Sequence, residues 1–240
     1  RRPGMYIGGT DERAYHHLAA EIIDNAMDEA VAGYATHIQI DLSAEGVLTV
    51  RDNGRGMPVD PHPKLKPKSA LEVIFTVLHS GGKFSGDAYQ TSGGLHGVGA
   101  SVVNALSREL VATVRRDGAT WEQRYKQGAP VGGVKKLGPA RGTGTTVFFR
   151  PDPTIFPKTV FDAATIRERL EIASYLHKGL KVTFENEAVE SGALTHEAFQ
   201  HDEGIGDYLR KILAARVYDV AIESPLEPAP AISRRTGNHI

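Results

Sequence analysis

The chain has 240 residues, 40% of them hydrophobic, which is long enough for one large domain and short for two. Its 28 basic and 29 acidic residues nearly cancel, so the overall charge gives no sign of a dedicated nucleic-acid surface. The chain has no Cys, which excludes disulfides, zinc–thiolate sites and thiol nucleophiles and fits a reducing compartment.

Hydrophobic patterning predicts no membrane span, because no apolar run approaches roughly 20 residues, and we expect a soluble, cytoplasmic protein. Residues 1–4 offer neither an initiator Met nor a helix start, so we expect a fragment of a longer protein. Apolar residues at four-residue steps predict a helix over 14–32 that ends at Gly33. Alternation predicts a β-hairpin over 38–52, and capping-box spacing predicts a helix over 69–79.

The middle of the chain is rich in Gly, Ser and Lys over 81–99 and lacks periodicity, which predicts a functional lid. A short helix is predicted at 98–106, followed by strands at 110–115 and 121–126. The remaining predictions are a strand at 144–150, a helix at 162–177, a strand at 180–185 and a helix at 204–216. Strands around a few helices, without βαβ alternation, predict an α+β two-layer sandwich over 1–200. Residues 201–240 are predicted to form an extension that ends in a proline-rich linker.

Four polar residues share one face of the first predicted helix: His17, Glu21, Asn25 and Asp28. The alternative is that these residues form an ordinary solvent-exposed face, because surface helices carry a similar polar stripe. The residue types in this stripe nevertheless favour a catalytic site. Glu can deprotonate a water, a neighbouring His can assist it, and Asn offers an oxygen to a hard cation. Mg²⁺ keeps several waters and takes few protein oxygens, so one Asn suffices as a direct ligand.

Asp52 ends the predicted hairpin and is followed by Gly54 and Gly56. A carboxylate here can accept a hydrogen bond from an exocyclic amine such as that of adenine, and the glycines let a ring approach the backbone. An Asp-Asn-Gly turn without a ligand is the alternative.

Residues 93–99 place four glycines before the helix at 98–106, where free N–H groups favour an anion such as a phosphate. Lys83 could reach a terminal phosphate as a mobile charge. The alternative is a flexible glycine loop with a solvated lysine. Arg55 and Glu29 are expected to pair and to hold the pocket wall.

Other nucleotide and catalytic signatures are absent. The glycines after Asp52 do not continue as G-x-G-x-x-G, and no Gly-Lys-Ser or Gly-Lys-Thr occurs, which argues against Rossmann and P-loop sites. Ser92 and Ser101 near His96 lack a third catalytic member. Five histidines without ligand spacing are predicted to be satisfied structural residues: His16, His37, His62, His79 and His177.

Seven segments resemble a known family. They are 2–8, 21–30, 52–58, 79–84, 92–99, 101–106 and 142–145. On these residues the chain resembles the ATPase domain of the bacterial type IIA topoisomerases, the B subunits of DNA gyrase and topoisomerase IV, within the wider group of Hsp90 and MutL ATPases. The resemblance covers about residues 1–187. It implies a mixed, mostly antiparallel sheet, a glycine-rich ATP lid, and ATP hydrolysis that drives clamp closure on DNA.

The resemblance also implies roles for single residues. Glu21 is the expected general base, His17 assists it, and Asn25 holds Mg²⁺. Asp52 is expected to read adenine, supported through a water by Thr145. The other expected nucleotide-binding residues are Tyr6, Arg55, Gly56, Met57, Pro58, Gly81, Gly82, Lys83, Leu95, His96, Gly97, Val98, Gly99 and Arg116. Three of these, Arg55, Pro58 and Arg116, match positions that aminocoumarin inhibitors contact in the family.

Some features depart from the family pattern. The family's N-terminal arm is expected to be absent, and the transducer domain that delivers a catalytic Lys is expected to be missing or barely begun, with residues 201–240 as its start or a linker. We therefore expect this fragment to bind ATP with little hydrolysis. Many gyrase B subunits have Asp where this chain has Asn53, and we expect that exchange to leave function intact. Residues 61–64, with Lys66 and Lys68, look more like topoisomerase IV than gyrase. The implied partners of the full protein are DNA, a second B subunit and the A subunit.

A nucleotide-binding module of the chaperone or histidine-kinase type is the alternative function. It would use the same pocket for different work. A dedicated catalytic Glu argues against the kinase version, because phosphoryl transfer to a protein His needs no base that activates water. The third alternative is an interaction domain that binds no nucleotide, and it would require that the pocket bind nothing.

Overall fold

The structure is a computed structural model, and it describes residues 3–78, 99–156, 160–188 and 195–214. In these ranges the helices are α1 Gly4–Ile7, α2 Glu12–Val31, α3 Ala70–Thr76, α4 Gly99–Leu106, α5 Ala163–Leu176 and α6 Ile205–Ala214. The strands are β1 His37–Leu42, β2 Leu48–Asp52, β3 Ser107–Arg116, β4 Ala119–Lys126, β5 Ala129–Pro130, β6 Lys135–Pro139, β7 Gly144–Pro151, β8 Lys181–Asn186 and β9 Thr195–Phe199.

The described strands form one sheet in the order β5-β4-β3-β7-β2-β1-β8-β9, with β6 paired to β4. The β1–β8 pair is parallel, and the other pairs are antiparallel. The predicted α+β fold with a mixed, mostly antiparallel sheet is therefore confirmed. Because residues alternate between the two faces of a strand, Leu48, Val50 and Asp52 of β2 share the buried face.

The helices cover that buried face. Helix α2 buries Leu18, Ile22 and Ile23, and it packs against α4, α5 and the middle of the sheet. At its edge, His16 Nδ1 donates to the Glu12 carbonyl at 2.8 Å, and His16 Nε2 accepts from the Asp162 N–H at 2.8 Å. The first bond orients the ring within α2, and the second joins α2 to Asp162, the N-cap of α5.

Most predicted elements are confirmed, with shifted ends. Helix α2 starts at Glu12 because the Asp11 side chain caps it by accepting from the Ala14 N–H at 2.8 Å. Helix α3 ends at Thr76, so the prediction of a helix through residue 79 is wrong over 77–78. The expectation of no helix start in residues 1–4 is also wrong, because α1 begins at Gly4. Three strands, β5, β6 and β9, were not predicted.

The chain separates into two compact units, residues 1–207 and 208–240. Of the second unit, residues 208–214 are described, and they are helical. The division of the chain into a domain over 1–200 and an extension over 201–240 stays a prediction. The proposed linker after residue 216 and the lid at residues 81–98 lie outside the described residues.

Candidate functional site

The polar face of α2 carries the two residues predicted to act on water and metal. Glu21 and Asn25 are half-buried one helical turn apart, while His17 is exposed at the preceding turn. The Glu21 carboxylate lies against Gly99, the first residue of α4. The structure therefore brings the predicted base to the described end of the glycine-rich segment.

Asp52 supplies a buried carboxyl group at the end of β2, with 9% of its surface exposed. Its Oδ1 accepts from the Gly54 N–H at 2.8 Å and from the Thr145 N–H at 3.3 Å. Among the described residues, Oδ2 accepts no hydrogen bond. The Asp-Asn-Gly turn, which was the alternative to a binding site, therefore forms and uses one oxygen of Asp52 without occupying the other.

Burial raises the pKa of Asp52 to about 6, because an ionised carboxylate is poorly solvated there. The two hydrogen bonds from Gly54 and Thr145 oppose this rise by favouring the charged form. The negative charge of Glu29 raises the pKa further, and the positive charge of Arg115 lowers it. A carboxyl group with a raised pKa in a polar cluster is typical of a binding or catalytic site.

The turn after Asp52 is held by two hydrogen bonds and lies close to β3. The Thr145 Oγ1 accepts from the Met57 N–H at 3.1 Å, and Arg116 Nη1 donates to the Gly56 carbonyl at 2.9 Å. Gly56 has φ +77°, and a Cβ there would lie 2.6 Å from the Arg115 carbonyl oxygen. Because a side chain at residue 56 would clash with the backbone of β3, only glycine lets the turn lie this close to the sheet.

The predicted Arg55–Glu29 pair is confirmed. Arg55 Nη2 donates to Glu29 Oε1 at 2.7 Å, and Arg55 Nε donates to Oε2 at 3.2 Å, so the pair is bidentate. The guanidinium carbon also lies 3.8 Å from the centre of the Tyr34 ring. These contacts tie the turn to α2, and they give Arg55 a structural function beside its predicted contact with the nucleotide.

Asn53 makes contacts that its sequence context did not reveal. Its Oδ1 accepts from the backbone N–H groups of Thr36 and His37 at 2.8 and 3.0 Å, and its Nδ2 donates to Thr36 Oγ1 at 2.9 Å. These bonds fix the turn to the start of β1. Asp could replace Asn here, because a second carboxylate oxygen can accept from the Thr36 hydroxyl. The three bonds depend on β1–β2 pairing, so no local motif signals them.

Several predicted site residues are not joined to this group in the structure. Gly81, Gly82, Lys83 and the residues 95–98 (Leu95, His96, Gly97 and Val98) lie outside the described residues. Tyr6 is 45% exposed on α1, and its side chain makes no hydrogen bond or ring contact with described residues. Pro58 is half-buried beside Met57. The roles of these residues stay predictions.

The histidines outside the site are mostly structural. The rings of His16 and His37 are hydrogen-bonded, the latter to Thr183 Oγ1 at 3.0 Å, and His62 Nδ1 accepts two backbone N–H groups. The prediction is confirmed for these three. For His177 it stays a prediction: burial lowers the pKa of its ring, and that ring makes no hydrogen bond within the described ranges. His79 lies outside them.

Two features are absent from the described residues. These residues contain no cluster of three or more His, Cys, Asp or Glu side chains that could hold a metal ion. They also contain no helix long and apolar enough to cross a membrane.

Comparison with known proteins decides the family. Residues 10–155 match the family described as histidine kinase-, DNA gyrase B-, and HSP90-like ATPase. The chain belongs to this ATPase family. The match contains α2, Asp52, Gly99, Arg116 and Thr145, so the residues brought together above lie inside the family's ATPase domain.

Two curated relatives are equally similar to the chain. It is 51% identical over 212 residues to the B subunit of DNA topoisomerase 4 from Caulobacter vibrioides, a match that covers 87% of this chain and 30% of the relative. It is also 51% identical over 209 residues to the B subunit of DNA gyrase from Thermotoga maritima, covering 87% of this chain and 32% of the relative. The chain thus spans about a third of these proteins.

A solved structure shows the same fold. The 43K ATPase domain of Thermus thermophilus gyrase B, in complex with an aminocoumarin, matches with a TM-score of 0.77 and 42% identity. The match covers 89% of this chain and 53% of that one. This ATPase family domain is therefore of the kind found in the B subunits of gyrase and topoisomerase IV.

Proposed function

We propose that the chain is the ATP-binding and ATP-hydrolysing domain of the B subunit of a type IIA DNA topoisomerase. The observation that carries this proposal is the buried Asp52 carboxyl group, which has one oxygen anchored and the other available. It lies on the same face of the sheet as α2, whose polar side carries Glu21 and Asn25. These three residues supply the groups that recognise a base, activate water and hold a metal.

Asp52 reads the adenine ring in this proposal. Its free Oδ2 accepts a hydrogen bond from the exocyclic amine, and Thr145, which already holds the turn through Met57, supports that contact through a water. Gly56 and Met57 form the surface against which the ring packs. Arg55, Pro58 and Arg116 form the outer rim, where ATP-site inhibitors of the aminocoumarin class are expected to bind.

Glu21 is the general base. Its carboxylate takes a proton from water, the water oxygen bonds to the γ-phosphorus, and the bond from that phosphorus to the bridging oxygen breaks to release ADP. His17 lies one turn before Glu21 and assists it. General-base catalysis of this kind contributes about 10² to 10⁴ in rate.

Asn25 fits a Mg²⁺ site of the sparse kind. Its amide is half-buried beside Glu21, and a cage of several carboxylates is absent from the described residues. Mg²⁺ takes one or two protein oxygens with water and substrate phosphates, so Asn25 and a bound triphosphate match its needs. When bound, the ion would neutralise charge on the phosphates. Lys83 and the backbone of residues 95–99 complete the phosphate site in this proposal.

The wider role is inferred from the relatives. In the full-length protein, closure of the lid at 81–99 on ATP drives clamp closure around DNA, together with a second B subunit and the A subunit. Residues 61–64, Lys66 and Lys68 favour topoisomerase IV as the parent enzyme. We place that enzyme in the cytoplasm, where bacterial DNA lies.

Calorimetric titration of a non-hydrolysable ATP analogue with Mg²⁺ tests the proposal. We expect one-site binding to the wild-type chain, binding weaker by about tenfold or more to Asp52→Asn, and unchanged binding to Asp60→Asn, a matched control at an exposed position. If Asp52→Asn binds as well as the wild type, Asp52 does not read adenine. If only an aminocoumarin binds, the pocket is intact and ATP affinity depends on other parts of the full-length protein.

A further inference from the structure

The first residue of α4 is a glycine, and the side chain opposite it is the proposed base. A Cβ built on Gly99 would lie 3.0 Å from Glu21 Cδ and 3.2 Å from Glu21 Cβ, and it would overlap the carboxylate oxygen Oε2. Non-bonded carbon atoms pack at about 3.5–4.0 Å. The Glu21 side chain therefore fills the space that any other residue at position 99 would need.

The backbone conformation at position 99 does not require a glycine. Gly99 belongs to α4 and is not among the described residues with positive φ, so an L-residue could adopt its conformation. Alanine is also the better helix former. The steric demand comes from α2, which packs directly on α4.

The clash would be relieved by the part that moves most easily. Helices α2 and α4 are held by buried apolar residues, including Ile22 and Val103, and separating them would open the core. The Glu21 side chain can instead rotate about its own bonds. Rotation removes the overlap with Oε2 and Cδ, and the approach to Glu21 Cβ needs a shift of only a few tenths of an ångström. A Cβ at position 99 would thus displace the carboxylate and leave the helices packed together.

We propose that Gly99 is a positioning residue for the general base. Its missing side chain keeps the Glu21 carboxylate in the orientation that takes a proton from the attacking water. This inference rests on the proposed function, in which Glu21 is the base. It differs from a phosphate contact through the Gly99 N–H, because alanine retains that N–H.

A double-mutant cycle in the full-length protein separates the two roles. The four proteins are the wild type, Gly99→Ala, Glu21→Asp and the double variant, and the measured quantities are kcat and the Kd of a non-hydrolysable ATP analogue. We expect Gly99→Ala to lower kcat by about 10²-fold or more and to leave the Kd within about twofold. Asp is one methylene shorter than Glu, so adding Gly99→Ala to Glu21→Asp should cost about twofold or less.

The controls distinguish this inference from the proposed function. Gly133→Ala is the matched control, since no atom lies within 4 Å of its Cβ position, and it should behave as wild type. Equal losses of kcat from Gly99→Ala in both backgrounds would overturn the positioning role while hydrolysis by the wild type stands. A wild type without hydrolysis would overturn the proposed function as well.

Folding of the variants gives a second readout. If Gly99→Ala fails to fold while the double variant folds, the clash with Glu21 is demonstrated directly. If both variants unfold to the same extent, the effect of Gly99→Ala does not pass through Glu21, and the inference is overturned.

Discussion

Replacing Asp52 by Asn should stabilise the chain at neutral pH while it weakens nucleotide binding by about tenfold or more. The pKa of this carboxyl group rises from 3.8 to about 6 on folding, because burial disfavours its charged form. A rise of the pKa from 3.8 to about 6 corresponds to about 3 kcal/mol of lost folding stability at neutral pH. Asn keeps a carbonyl oxygen for the N–H groups of Gly54 and Thr145, so it removes the cost of the charge without leaving these donors unpaired.

The raised pKa of Asp52 makes the stability of the folded chain depend on pH. Because the folded pKa of Asp52 lies above the unfolded value, the folded state binds the proton more tightly. The associated stability is present below the unfolded pKa of 3.8 and is lost as pH rises through about 6. At neutral pH the wild type bears the full cost. The Asn variant has no proton to lose and is independent of this titration.

Urea unfolding across a pH series measures the effect. The free energy of unfolding of Asp52→Asn minus that of the wild type should grow by about 2 kcal/mol between about pH 4.5 and pH 7.5. The variant should lose affinity for the ATP analogue by tenfold or more, since a hydrogen bond to a charged group contributes about 1.5–3 kcal/mol. A stability difference that does not change with pH would refute the assigned cost of burying the charge.

Three further predictions concern the same site. Glu21→Ala should lower ATP hydrolysis by the full-length protein by about 10²- to 10⁴-fold and spare binding of the ATP analogue. A loss of binding would instead give Glu21 a structural role. Asn53→Ala should lower the free energy of unfolding of the chain by about 1–3 kcal/mol and weaken binding of the analogue in calorimetry, whereas Asn53→Asp should do neither. Equal effects of the two variants would contradict the hydrogen bonds assigned to Asn53. Gly56→Ala should lower stability in urea unfolding by more than Gly142→Ala, which has a similar positive φ but open space around it, and equal losses would leave backbone strain as the sole cause.

Local patterns were enough to predict most elements. The apolar repeat of Leu18, Ile22 and Ala26, with Gly33 after it, defines α2 because side chains three and four residues apart face the same way. Short-range signals also predicted the β1–β2 hairpin and the capped start of α3 at Ser69. The strands missed, β5, β6 and β9, are short or weakly alternating, and their pairing with β4 and β8 stabilises them.

The sequence by itself determined the order of the elements and the chemical type of the site residues. It placed Asp52 at a strand end and Glu21 with Asn25 on one helix face, because these relations extend over only a few residues. Tertiary structure alone decided that Glu21 contacts Gly99, that Arg116 holds the Gly56 carbonyl, and that β1 pairs in parallel with β8. Such contacts join residues far apart in the chain, and their geometry is set by how the helices pack on the sheet and by the register of the strands.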